Sequence, residues 1–137
     1  MLRPFYPIFL TFFPSHTPMN SKQFLQVGGV ILLALGIIGY VMPNLIPDVL
    51  WFDPAENVAH TVLGVVALIA SAALPMTLQK PLVYIVAVVA LFFGIAGFMV
   101  TSNPVPNFYG YTNLEMLDNV VHLVVGVWAI WAAMNTK

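Results

Sequence analysis

Apolar residues along this chain come in four long runs, and the few charged side chains mark where each run stops. Lys22 and Asp48 are separated by 25 uncharged residues, Glu56 and Lys80 by 23, Lys80 and Glu115 by 34, and Asp118 and Lys137 by 18. A helix that crosses a bilayer needs about 20 mainly apolar residues. The pattern therefore predicts spans over residues 24–42, 57–74, 82–100 and 117–134. Leu74-Pro75 is expected to end the second span and Pro81 to fall in the first turn of the third, where a missing N–H matters least. No stretch alternates apolar and polar residues with period two, so no strand is predicted.

Composition turns this pattern into a class. Of 137 residues only 7% are charged, 61% are hydrophobic, and mean hydropathy is +0.94. Water-facing domains carry about 25% charged residues. This chain cannot cover a soluble surface, and it lacks the basic patch a nucleic-acid partner would need. With no cysteine, disulfides, thiolate metal sites and cysteine nucleophiles are excluded. The partner that the composition names is the lipid bilayer.

The signs of the charges set the topology. Arg3, Lys22, Lys80 and Lys137 fall on one side of the four spans, and Asp48, Asp53, Glu56, Glu115 and Asp118 on the other. Basic residues stay on the cytoplasmic side, so both termini are expected in the cytoplasm. Two loops of about fifteen residues then face outward. Their Trp51, Phe52, Tyr109 and Tyr111 are suited to the headgroup level.

Residues 1–21 differ from the rest. Pro4, Pro7, Pro14 and Pro18 interrupt the aromatic and aliphatic residues there, which excludes a long helix. No small-residue cleavage site marks a signal peptide. Met19, followed by Asn20 and Ser21 as capping residues for the first span, is the expected start of translation, with Met1 the alternative. Residues 22–137 form the four-span domain.

The two halves of that domain repeat. Leu35-Gly36-Ile37-Ile38-Gly39-Tyr40 matches Phe93-Gly94-Ile95-Ala96-Gly97-Phe98 at an offset of 58, and Glu56-Asn57-Val58-Ala59-His60 matches Asp118-Asn119-Val120-Val121-His122 at 62. Each unit is a helix, an outward loop and a returning helix. The expected fold is all-α: a four-transmembrane-helix bundle built from two tandem helical hairpins, arranged as a parallel repeat. Gly64 and Gly126 continue each stripe at helical spacing, after Glu56 and His60 and after Asp118 and His122. Together with Gly36, Gly39, Gly94 and Gly97 they are expected to pack helices closely, and the two stripes are expected to face the bundle interior.

The chemistry lies in the repeated carboxylate-Asn-His set. Glu56 and His60, like Asp118 and His122, stand four residues apart on one helical face, with Asn57 and Asn119 three residues before each His. The two His would lie at matching depth. An imidazole there can ligate a metal, ligate haem iron or hydrogen-bond a carboxylate. Two His with two carboxylates suit a divalent metal, and two imidazoles alone suit a b-type haem. The plainer reading weighs about twice as much: the acids favour helix N-termini, the Asn residues cap them, and each His fastens one hairpin to the other. It needs no cofactor. Ser71 stands far from both His in sequence, so no serine nucleophile is expected and the chain reads as a non-enzyme.

The paired Asn-x-x-His-x-x-x-Gly motif, Asn57/His60/Gly64 and Asn119/His122/Gly126, resembles that of a family of small four-helix bacterial membrane proteins. That family is catalogued as a domain of unknown function. The resemblance covers about residues 22–134 and implies a bacterial inner-membrane protein without a known activity. The expected function is that of an interaction or accessory component, alone as a homo-oligomer or with another membrane protein. A metal- or haem-binding module at His60 and His122 is the alternative. A small transporter ranks last, because the first and third spans carry no acidic or basic residue for coupling.

Overall fold

A computed structural model describes residues 18–46 and 51–137. The proline-rich stretch with Arg3 and His16, and the segment holding Asp48, lie outside the described residues. The rest is four helices: α1 (Ser21–Val41), α2 (Pro54–Ala73), α3 (Met76–Val100) and α4 (Met116–Met134). All four are long and apolar enough to cross a membrane. The all-α architecture and its division into two hairpins follow the sequence pattern.

Local chemistry explains where each helix starts. Asn20 and Gln23 form a reciprocal capping box at α1, the Asn20 side chain accepting from Gln23 N–H and the Gln23 side chain accepting from Asn20 N–H, each at 3.1 Å. The second helix begins at Pro54 rather than near residue 57, because Asp53 caps it through Ala55 N–H at 2.8 Å and Glu56 N–H at 2.9 Å. Asn57 and Asn119 are thus interior residues, not caps. The third helix begins at Met76, not at residue 82, and Pro81 lies inside it. Pro75 presets the entry backbone, and the buried Gln79 amide donates to Leu74 O at 2.7 Å and to Ser71 O at 3.3 Å. That turn is closed five residues before Pro81, whose missing N–H then costs one interior bond.

Helix α1 packs along α2 and α3 along α4, and the hairpins meet chiefly through α1 against α3 and α4. The buried core is small-residue packing at the basic end: Phe24 and Leu25 of α1, Ala70 of α2, Val83 and Ala87 of α3, and Ala129, Ala132 and Ala133 of α4. Phe24 meets Trp128 edge to face, with ring centroids 4.6 Å apart. The same end is tied by polar bonds. Ser21 N–H donates to Thr136 Oγ1 at 2.7 Å, and Lys80 Nζ donates to Thr136 O at 2.8 Å. The start of α1, the α2–α3 turn and the end of α4 therefore share one end with Lys22, Lys80 and Lys137, opposite Asp53, Glu56, Glu115 and Asp118.

Candidate functional site

At the acidic end the two hairpins repeat the same close contacts. A Cβ at Gly39 would overlap the Asn57 amide oxygen, and a Cβ at Gly97 would overlap that of Asn119. One turn away, a Cβ at Gly36 would stand 3.1 Å from Asn57 O, and one at Gly94 3.1 Å from Asn119 O. Deeper still, Gly64 lies against Leu33 and Gly126 against Leu91. Each contact falls between helices of one hairpin. The glycine stripes thus face their own hairpin partners rather than each other.

Asn57 is 4% exposed and Asn119 fully buried, and neither Oδ1 has an N–H or O–H partner. Each oxygen instead rests against a glycine Cα, the arrangement of a weak Cα–H···O contact. The Asn119 amide also donates to Thr101 Oγ1 at 2.9 Å, and the Thr101 hydroxyl donates to Gly97 O at 2.6 Å.

The two His do not share one environment. His122 Nδ1 lies 2.9 Å from Asp118 O and 3.2 Å from its carboxylate. A carbonyl only accepts, so the proton sits on Nδ1 and a neutral His122 keeps its lone pair on Nε2. On α2 the matching carboxylate is committed elsewhere: Glu56 Oε2 accepts from Asp53 N–H at 3.2 Å, completing the α2 cap. His60 is left with a buried Nδ1 that has no partner, and its ring meets the edge of Phe52 at 6.3 Å. His122 packs instead on Phe93 at 5.8 Å. Asp118 lies within electrostatic reach of Glu56 and of both imidazoles, and His122 within reach of Glu56 and His60. Among the described residues, however, no three His, Asp or Glu side chains converge as a metal ion would require.

Sequence reasoning missed the residues that join the loops. Asp53, 5% exposed, caps α2 with Oδ1 while Oδ2 accepts from the Thr112 hydroxyl at 2.6 Å and Asn113 N–H at 2.8 Å. Glu115 returns the link, accepting from Trp51 N–H at 3.1 Å and from the Asn113 amide at 3.2 Å. Burial pushes the Glu115 carboxyl above the usual carboxylate range, although those two bonds pull it back. The Asn107 side chain bonds Leu114 O at 3.1 Å and Leu114 N–H at 2.8 Å. Asp-Pro-Ala-Glu at 53–56 could have revealed the cap; nothing local could have revealed the bond to Thr112.

These bonds make one surface of two loops. Tyr109 and Tyr111 project from it, 84% and 82% exposed, and Trp51 is 38% exposed. Phe52 departs from the expectation of a headgroup aromatic: it is 4% exposed, packed under the loop against His60 and Gly39. Tyr109 has φ +52° and Gly110 φ +75°, so a non-glycine residue sits in the left-handed region at the loop tip. No protein-family model, no curated protein and no solved structure matches the chain.

Proposed function

We propose that this is an integral protein of the bacterial inner membrane, with both termini cytoplasmic, that works by binding a partner through its joined outward loops and not by catalysis. The gathering of Lys22, Lys80 and Lys137 at one end supports the orientation. The paired Asn-x-x-His-x-x-x-Gly motif supports the bacterial setting. The observation that carries the partner reading is the loop surface. A connection between spans needs no fastening across hairpins, yet Asp53 and Glu115 fasten this one, and at its tip Tyr109 takes a left-handed conformation with its ring exposed. Strain of this kind persists where the surroundings enforce it, and it gathers at working surfaces. Photo-crosslinking residues at positions 109 and 111, in native membranes, are expected to give discrete protein adducts. A residue at lipid-facing Val88 is expected to give none. An adduct of twice the chain's mass identifies a homo-oligomer; lipid adducts alone from the loop positions defeat the reading.

One observation favours the alternative, a ligand at His60 and His122. The buried, partnerless Nδ1 of His60 is costly in an apolar setting unless something occupies it. Elemental analysis and an absorption spectrum of the purified protein, beside the variant His60→Ala/His122→Ala, decide it. Stoichiometric metal or haem lost in the variant establishes the ligand.

A further inference from the structure

Apolar packing between the hairpins stops short of the acidic end. The buried core that joins them, from Phe24 and Leu25 to Ala129 and Ala133, fills only their basic halves. Toward the acidic end each hairpin closes on its own glycines. Glu56 and His60 of α2 and Asp118 and His122 of α4 lie within electrostatic reach across the seam left there, all four partly exposed. Asp53 and Glu115 stand above them in the joined loops. At this end α1 carries Tyr40, 58% exposed, and α3 meets His122 with the Phe93 ring. Among the described residues every lysine is at the opposite end, so the two imidazoles are the groups here that can take a positive charge.

Geometry separates the two imidazoles. His122 Nδ1 is held against two oxygens of Asp118, the carbonyl at 2.9 Å and the carboxylate at 3.2 Å. Its Nε2 is left to take a proton, and with the side chain 25% exposed the ring is open to exchange with the outward side. His60 touches no carboxylate: its Nδ1 is enclosed and its ring meets Phe52. His122 also lies within electrostatic reach of Glu56 on the other hairpin. Glu56 and Asp118 are like charges in each other's reach, and their repulsion is stronger at a partly buried seam than in open water.

We infer that His122 is a pH-sensitive lock on the joined loops: while it is neutral, Glu56 and Asp118 repel each other across the seam, and once protonated it attracts both and draws α2 and α4 together beneath the loops. Glu56 carries that pull upward, because its Oε2 accepts from Asp53 N–H and Asp53 holds Thr112 and Asn113. Asp118 stands three residues after Glu115, which holds Trp51. Imidazole changes charge between about pH 5 and 8, so the lock closes as the outward side acidifies. The inference deepens the loop-partner reading by giving that surface a regulator. Its readout is the exchange of the loops' own amides, so loops that capture no protein would defeat the partner reading and leave the lock standing.

The test is hydrogen–deuterium exchange of the full chain in detergent micelles, read at the Trp51 and Asn113 N–H groups, which donate from one loop to the other and to Asp53. Protection factors there are expected to rise about fivefold from pH ~8 to pH ~6 in the wild type. His122→Gln can still donate to Asp118 but stays neutral, and is expected to lose the rise. Glu56→Gln can still accept from Asp53 N–H without a charge, and is expected to lose it too. His60→Gln is expected to keep it. No rise in the wild type, a rise that survives in His122→Gln or Glu56→Gln, or its loss in His60→Gln overturns the inference. Should His122→Gln fail to fold, Glu56→Gln decides.

Discussion

The side-chain oxygen of Asn119 occupies the space beside Gly97 where any other residue would carry its Cβ. Asn57 stands in the same relation to Gly39. The two contacts hold each hairpin together near its acidic end, where the core of Phe24, Leu25 and the alanines does not reach.

An added methyl at Gly97 must therefore displace Asn119. Gly97→Ala is expected to destabilise by about 2 kcal/mol, within the usual range for overpacking, with Gly39→Ala similar. In an Asn119→Ala background the same change is expected to cost under about 1 kcal/mol, because the obstructing group is gone. Unfolding in detergent micelles measures the cycle, and simple additivity would show that the glycine does not exist for the asparagine.

Asp53 joins the loops and caps a helix at once. Asp53→Ala loses a cap worth about 1 kcal/mol and two charge-assisted bonds worth about 1.5–3 kcal/mol each where buried. A drop of several degrees in Tm and new protease sensitivity in residues 101–115 are expected. Thr112→Val, which removes one of those bonds, is expected to fall between that variant and wild type. A loop that resists protease equally in all three would separate Asp53 from loop ordering.

The Glu115 carboxyl titrates higher in the folded protein than in the unfolded chain, chiefly through burial. A raised value means that the protonated form favours folding. Its contribution is complete below the ordinary carboxylate range, about 4.3, and is lost as pH rises through the folded value. Glu115→Gln stays neutral and still accepts from Trp51 N–H. It is expected to melt above wild type near pH ~7, with the gap closing toward pH ~4. A gap that does not change with pH refutes the assignment.

On the proposed partner reading, the strained Tyr109 sets stability against binding. A left-handed conformation costs a non-glycine residue about 1–2 kcal/mol. Tyr109→Gly is expected to raise Tm while removing the aromatic contact, so crosslinks from position 111 to a partner weaken. Gain of stability with undiminished crosslinking would leave Tyr109 without a role in binding.

Much of this molecule is legible in one dimension. Four spans, two hairpins and the repeat follow from charge spacing and from the glycine and Asn-His patterns, because hydrophobic length and helical periodicity are local properties. The shared end of Lys22, Lys80 and Lys137 follows from counting crossings. The boundary errors were local as well: the cap at Asp53 was written in Asp-Pro-Ala-Glu. The tertiary structure alone decided what the polar residues do. Asn57 and Asn119 turn inward onto glycines of the neighbouring helix instead of capping their own. Glu56 is taken by Asp53, so His60 and His122, which share the Asn-x-x-His-x-x-x-Gly pattern, end in different environments. Asp53 meets Thr112 across 59 residues. A hydrogen bond is decided by which groups compete for the same donor in space, and a pattern along the chain does not contain that competition.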